Sequence, residues 1–145
     1  MITPLTNPGS FNSHILVWTR DGRAVAEIRD GGGTGGRLFS DSFINDGEWH
    51  HLAVVFRDEP IQTPGEDDGI IIFINGEEDA RTAHSDSFPP SNPGAAMARR
   101  ERNDPSHYFE GTLSEVHVWD RALDEAEIQE SMEFEPASIV SAGRK

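Results

Sequence analysis

The stretch IIIFING, residues 70–76, constrains the fold of this chain more than any other segment. Its five consecutive apolar residues are all β-branched or aromatic, which favours a strand, and the Asn-Gly pair that follows favours a tight hairpin turn. Alternate side chains of a strand point to opposite faces, so the isoleucines at even positions can face a core while Ile71 and Phe73 face away from it. We therefore predict a strand that needs a second cover, such as a loop, a helix or a partner.

Two glycine-containing segments nearer the N-terminus predict a hairpin and a loop. Asp21-Gly22 lies between the apolar runs HILVWT and RAVAEIR, as in a two-residue hairpin. DGGGTGG, residues 30–36, is predicted to be a loop, because glycine loses much conformational entropy in a regular element. It lacks the Lys-Ser/Thr pair of a phosphate-binding loop. Farther along, at most a short strand is expected at AAMAR, within the proline-rich residues 84–107.

The adjacent histidines of NDGEWHHLAVVF, residues 45–56, raise the question of a metal or catalytic site. We predict a strand over residues 49–56, on which His50 and His51 point to opposite faces. Two ligands of one metal would sit more naturally at i and i+2 of a strand, and no nearby Asp, Glu or His completes a site. The pair is therefore predicted to be structural, and no catalytic residue is assigned.

The C-terminal part predicts a strand followed by a short helix. Alternating apolar residues predict the strand over residues 113–119. Asp124 is the expected N-cap of the helix, with Glu127 at the third helical position, as in a capping box. Leu123 and Ile128 occupy the two positions of a hydrophobic staple, which predicts that they contact each other.

The length and the net charge of the chain exclude several classes of function. A chain of 145 residues is long enough to form one domain with its own core. Its 26 acidic and 12 basic residues give a net charge of −14, which argues against nucleic acid and other polyanions and favours a neutral or cationic ligand. No apolar stretch approaches the ~18 residues of a membrane span, and the first residues lack the pattern of a secretion signal. The absence of cysteine removes disulfides and thiolate chemistry.

Three stretches, taken together, carry a family resemblance. DGEWHHLAVVF, IIIFINGEEDA and FEGTLSEVHVWDRALDEAEIQ occur in the order and at the spacing seen in laminin G-like jelly rolls of the concanavalin A-like lectin/glucanase superfamily. The resemblance covers about residues 14–132. The matching residues are Trp49, His50, His51, Asn75, Gly76, Gly111, Glu115, Val116, Arg121, Ala122, Leu123, Glu127 and Ile128. Trp119 and Asp120 give the strand-helix motif a form that also resembles pentraxins.

The resemblance implies an all-β fold, a jelly-roll sandwich of two antiparallel sheets with one short C-terminal helix. It also implies a structural Trp-His-His motif, a non-catalytic domain and an exported or surface-attached protein. The opening strands of the family have no counterpart here, so the chain is expected to start part-way into the fold. We predict a leader or linker over residues 1–13, the laminin G-like domain over residues 14–133, and a tail or closing strand over residues 134–145.

Acidic residues suggest two kinds of site. A glycoside hydrolase of this superfamily would need paired carboxylates, commonly as E-x-D-x-x-E on one strand, and that motif is absent. Calcium is the candidate cofactor, because residues 64–69 or 103–110 supply the carboxylates and loop carbonyls that it prefers, but no metal ligand is assigned. The pentraxin double-calcium loop is not expected, since RRERNDPSH replaces its acidic run. If the strand face that carries Glu115 is covered, its carboxylate would need a polar partner, such as Arg121 or a histidine.

Four aromatic residues are candidates for ligand binding, because sugar rings stack on aromatic faces. They are Trp18, Phe88, Tyr108 and Trp119. Phe88 and Tyr108 lie among Pro, Ser and His and are the better surface candidates, whereas the two tryptophans are expected to pack in the sandwich. The predicted function is a recognition module for a carbohydrate or a cell-surface protein, located outside the cell. The alternatives are a structural or assembly domain and, with the least support, a hydrolase relative.

Missing opening strands would leave a sheet edge whose backbone groups have no partner, and natural proteins seldom leave such an edge exposed. We therefore expect a homo-oligomer, a neighbouring domain or residues 134–145 to cover it.

Overall fold

The structure, a computed structural model, describes residues 2–4, 14–29, 35–57, 69–83, 95–97 and 109–133. The strands are β1 (Ile2–Pro4), β2 (His14–Arg20), β3 (Arg23–Arg29), β4 (Gly35–Phe43), β5 (Leu52–Arg57), β6 (Gly69–Ile74), β7 (Glu77–Ala83) and β8 (Ala95–Met97), and the helix is α1 (Glu125–Met132). The strands form two antiparallel sheets, of order β4-β3-β2-β1-β8 and β5-β6-β7. The predicted all-β class with one short C-terminal helix is confirmed. In the described ranges, no helix is long and apolar enough to cross a membrane.

The N-terminal hairpin is confirmed. β2 and β3 pair without interruption around Asp21 and Gly22, whose φ angles are 52° and 81°. Positive φ at both central residues gives a two-residue turn the twist that matches its flanking strands. The Asp-Gly pair therefore sets the register of this hairpin.

β4 has no counterpart among the strands predicted from the sequence. The loop predicted over residues 30–36 is wrong at Gly35 and Gly36, which pair with the end of β3, while residues 30–34 lie outside the described part. Glycine has a low strand propensity, but hydrogen bonding to an existing neighbour strand compensates for it. Composition alone could not show that neighbour.

The two faces of β6 pack against different parts of the molecule. Its even-numbered isoleucines lie in the main core, which comprises Ala24, Ala26, Ile28, Ile70, Ile72 and Ile74. A second buried cluster on the other face comprises Val55, Ile71, Phe73, Leu123 and Ile128. The predicted second cover is confirmed, and helix α1 provides it. Burial of Ile71 and Phe73 contributes roughly 3 to 6 kcal/mol, at about 1.5 to 3 kcal/mol for each large apolar side chain.

Helix α1 begins as its sequence predicts. Asp124 accepts a hydrogen bond from the Glu127 backbone N–H at 2.8 Å, and the Glu127 carboxylate accepts one from the Asp124 N–H at 3.0 Å. This reciprocal capping box satisfies two backbone donors that a helix start would leave without partners. Leu123 and Ile128 are both buried in the second cluster, so the staple is confirmed.

The predicted strand over residues 113–119 is wrong. All seven residues are described and none belongs to a strand, and Glu115 has a φ of 52°, outside the extended region. The large apolar residues of the segment are exposed, by 42 % at Leu113, 41 % at Val116, 82 % at Val118 and 54 % at Trp119. A strand needs a neighbour for its backbone hydrogen bonds, and within the described ranges no strand pairs with this segment. An alternating pattern does not supply such a neighbour.

The edges of the two sheets are joined at β4 and β7. Asp79 of β7 accepts hydrogen bonds from the backbone N–H groups of Asp41 and Ser42, at 2.6 and 3.2 Å. These donors lie in an irregular part of β4, where Ser40 accepts a hydrogen bond from the Ala24 N–H at 2.9 Å. One carboxylate therefore satisfies backbone groups that the irregularity removes from the sheet ladder.

The short strands β1 and β8 complete the five-stranded sheet. β1 lies within the predicted leader, residues 1–13, and pairs with both β2 and β8. β8 confirms the short strand expected at AAMAR. Residues 134–145 lie outside the described part, and the domain boundaries stay predictions.

Candidate ligand-binding site

The two histidines are held at the start of the three-stranded sheet. β5 begins at Leu52, so both precede the strand and do not occupy its opposite faces. The His50 ring lies 2.9 Å from Asp46 Oδ1 through Nε2 and 3.3 Å from Asn75 Nδ2 through Nδ1. The His51 backbone N–H donates to Asn75 Oδ1 at 3.0 Å, and the Asn75 N–H donates to the His51 carbonyl at 2.9 Å. Asn75 thus ties the β6–β7 turn to both histidines.

Helix α1 packs against the same turn. Gln129 Nε2 donates to the Gly76 carbonyl at 3.1 Å, and a Cβ at Gly76 would lie 2.8 Å from Met132 Sδ. Only glycine combines this close approach with the φ of 83° that the turn requires. The two histidines, the Asn-Gly turn and helix α1 therefore meet at one place, whereas Trp49 is 68 % exposed.

The His51 ring sits in a partly buried position. Burial lowers the pKa of His51 below its ordinary 6.5, and the nearby His117 lowers this pKa further. Its Nδ1 atom is buried without a hydrogen-bond partner in the described part, so a proton added there would find no acceptor. The geometry favours a neutral ring.

We expect the stability of the protein to fall as the pH drops below about 6.5, because the unfolded chain then binds a proton at His51 more readily than the folded chain does. His51→Gln should reduce this loss between about pH 7 and 5. His50→Gln, which leaves His51 in place, is the matched control. Urea denaturation at several pH values, with metal analysis of each variant, checks both points. A stoichiometric transition metal lost on either substitution would contradict a structural role for the pair.

Trp119 lies in the exposed segment, so the expectation that it packs in the sandwich is wrong for this residue. Its ring meets the His117 ring edge-on, with centroids 6.4 Å apart. Arg121 does not pair with Glu115 but with Glu127, at 2.7 Å. This hydrogen bond from Arg121, with a second from the Asp124 backbone, lowers the pKa of Glu127 to about 2. The segment carries exposed aromatic surface.

A second surface, on the five-stranded sheet, combines aromatic and cationic side chains. Ala24, Ala26 and Ile28 of β3 face the main core, so the odd-numbered residues of β3 and their cross-strand partners form the opposite face. We call it the arginine-aromatic face. Its members are Leu16, Trp18 and Arg20 of β2, Arg23, Val25 and Glu27 of β3, and Arg37, Phe39 and Phe43 of β4.

The side chains of this face contact one another closely. Arg37 donates from Nε to Glu27 at 2.6 Å, and its guanidinium lies 5.4 Å from the centre of the Trp18 ring. The Arg23 guanidinium lies 4.8 Å from the centre of the Phe43 ring. Glu27 is only 3 % exposed, whereas Phe43 is 59 % exposed. The face thus offers aromatic surface and planar hydrogen-bond donors side by side, which is what sugar rings and their polar substituents require.

The structure separates the predicted ligand-binding residues. Trp18 lies in the arginine-aromatic face and Trp119 in the exposed segment, whereas Phe88 and Tyr108 lie outside the described residues. Residues 64–68 and 103–108 of the predicted calcium loops also lie outside them. Among the described residues, no three His, Cys, Asp or Glu side chains are grouped so that they could hold a metal.

The sequence patterns did not predict the arginines of the face or its two phenylalanines as binding residues. Part of the signal was present, because the Asp-Gly turn fixes the register that pairs Trp18 with Val25 and Leu16 with Glu27. The residues that β4 adds to the face could not be predicted, because the glycines at its start indicated a loop.

A laminin G family model, described as the concanavalin A-like lectin/glucanases superfamily, matches residues 3–129. The chain belongs to this superfamily. Membership in the concanavalin A-like superfamily confirms the resemblance carried by the three sequence stretches, and it agrees with the two antiparallel sheets. No curated protein matches this superfamily member.

A solved structure is also similar to this member of the concanavalin A-like superfamily. It is the 2.1 Å crystal structure of residues 221–444 of an S-layer domain-containing protein from Clostridium thermocellum ATCC 27405. The match has 22 % sequence identity and a TM-score of 0.46, and it covers 90 % of this chain. It covers 62 % of the other chain, so the present chain spans less than two thirds of that structure.

Proposed function

We propose that this chain is a non-catalytic recognition module that binds carbohydrate through its arginine-aromatic face, as part of an exported or cell-surface protein. The observation that carries the proposal is the grouping of Trp18, Phe39 and Phe43 with three arginines on one sheet face. Aromatic rings stack on the apolar faces of sugars, and guanidinium groups donate to their oxygens in a plane. Superfamily membership supports the surface location.

The number and position of acidic residues on this face support a role without catalysis. Glycoside hydrolysis requires two carboxylates, about 5 to 9.5 Å apart, that face each other across the scissile bond. Among the nine residues of the face, Glu27 is the one acid, and it is buried and bound by Arg37. Glu27 therefore already forms an ion pair with Arg37, and the nine residues include no second carboxylate that could act with it.

We expect glycan binding on an array to fall by about tenfold in Trp18→Ala, since loss of one stacked aromatic ring costs about 1 to 2 kcal/mol. Trp119→Ala is the matched control, because it removes an exposed tryptophan from a different surface. The array is repeated with a chelator, which tests whether calcium, the candidate cofactor, is needed for binding. Loss of binding in Trp119→Ala with Trp18→Ala unchanged would move the site to the exposed segment.

A structural or assembly domain is the second candidate, and the exposed apolar residues of the segment 113–119 favour it. Such side chains on a soluble protein mark interaction surfaces. In this case no glycan would bind in either array condition, and light scattering of the wild-type protein would show oligomers. A monomeric protein that binds glycans would exclude this candidate.

A further inference from the structure

We infer that the carbohydrate bound by the arginine-aromatic face carries a carboxylate, as in a uronic acid, and that Arg23 receives it beside Phe43. The inference rests on the proposed function and narrows it to acidic sugars.

Arg23 differs from the other arginines of the face in its partners. Arg20 lies 3.5 Å from the carboxylate of Asp21, and Arg37 is bound to Glu27. Arg23 instead donates from Nη1 to the backbone carbonyl of Ser40 at 3.1 Å and stacks on Phe43. Within the described part it has no carboxylate partner. A partly buried guanidinium without a counter-charge is the place where an anion gains most on binding.

The geometry at Arg23 suits a carboxylate in particular. A guanidinium binds a carboxylate through two parallel N–H donors, and the contact with Ser40 uses Nη1 alone. The carbonyl contact and the Phe43 ring also fix the plane of the guanidinium before a ligand arrives. A group that is already oriented loses less entropy when it binds.

Phe43 supplies the second half of the subsite. Its ring is 59 % exposed although it lies beside the Arg23 guanidinium. Because Arg23 covers one face of this ring, a sugar would pack against the part of the ring that Arg23 leaves exposed, with its carboxylate directed at the guanidinium. The pair therefore recognises both parts of an acidic sugar, its apolar ring face and its charge.

The local charge allows an anion to bind at the arginine-aromatic face, although the whole chain has a net charge of −14. The described parts of β2, β3 and β4, with their turn, contain four arginines and three acids, a net charge of +1. Asp79 of β7, which binds the backbone of β4, brings the local balance to zero, and the other acids that dominate the total charge lie elsewhere in the sequence. Screening limits their effect, because the Debye length is about 8 Å at physiological ionic strength. The expectation of a neutral or cationic ligand, drawn from the total charge, does not describe this face.

The test compares oligogalacturonate with its methyl ester, which keeps the sugar ring and removes the charge. Calorimetry with the full chain should show the acid binding about ten- to hundredfold more tightly than the ester, as expected for a charged bidentate hydrogen bond. Arg23→Gln should reduce the affinity for the acid to that for the ester, and Arg23→Lys should give an intermediate affinity. Arg81→Gln removes the same charge from an arginine that lies on the three-stranded sheet and is paired with Glu78, so it should keep the preference.

The outcomes separate this inference from the proposed function. Equal binding of acid and ester by the wild-type protein would overturn the inference and leave glycan recognition standing. A preference for the acid that survives Arg23→Gln, with circular dichroism unchanged, would also overturn it, because another group would then hold the charge. Failure of every glycan to bind would overturn the proposed function itself.

Discussion

Ile128→Ala is expected to lower the free energy of unfolding by about 2 to 5 kcal/mol. Ile128 is 1 % exposed and lies in the second cluster with Ile71 and Phe73, so its truncation leaves a cavity beneath helix α1. The same change removes one half of the hydrophobic staple that fixes the start of the helix. Urea denaturation followed by circular dichroism measures the loss.

Val118→Ala is the control for this substitution. Val118 is 82 % exposed, and a surface truncation of this kind usually changes stability by no more than about 0.5 kcal/mol. A loss at Val118 as large as that at Ile128 would show that the segment 113–119 is covered in solution. It would thereby contradict the exposure that we describe for this segment.

Gly69→Ala is expected to destabilise the protein by about 2 to 6 kcal/mol, combining a strained φ of about 1 to 3 kcal/mol with steric overlap of similar cost. Gly69 has a φ of 155° at the start of β6, and a Cβ there would overlap the backbone carbonyl of Thr82 on β7. A backbone atom cannot rotate away as a flexible side chain can. The two strands must therefore separate locally.

Gly47→Ala separates the steric cost from the conformational one. Gly47 also has a positive φ, 88°, but nothing lies within 4 Å of the Cβ that alanine would add. We expect a loss of about 1 to 2 kcal/mol, the cost of the left-handed conformation alone. Thermal melts of both variants make the comparison. Equal losses at the two positions would mean that the close approach of Gly69 to Thr82 does not hold in solution.

The histidine pair shows how a residue type can suggest chemistry while its neighbours decide its role. Adjacent histidines suggest metal binding, but here the His50 ring contacts Asp46 and Asn75, and the His51 backbone also binds Asn75. Asn75 connects them to the β6–β7 turn, and helix α1 closes over the same turn through Gln129. These contacts explain in physical terms why the histidine pair, the Asn-Gly turn and helix α1 lie together.

Local signals in the sequence determined much of this protein. The Asp-Gly and Asn-Gly pairs fixed two hairpins, because few other residues accept positive φ at both turn positions. The capping box and staple fixed the start of helix α1, since their contacts span only a few residues. The doubly apolar strand β6 required a cover on each face, and the structure supplies a core on one face and the helix on the other.

Tertiary structure alone decided the features that depend on which segments pair as strands. β4 forms although it begins with glycines, because β3 offers it backbone hydrogen bonds. Residues 113–119 alternate as a strand should, yet no described strand pairs with them, so their apolar side chains stay exposed. The arginine-aromatic face exists only once β2, β3 and β4 are side by side. The presence or absence of a pairing strand decides each of these features, and a pattern of residue types does not specify which segments will pair.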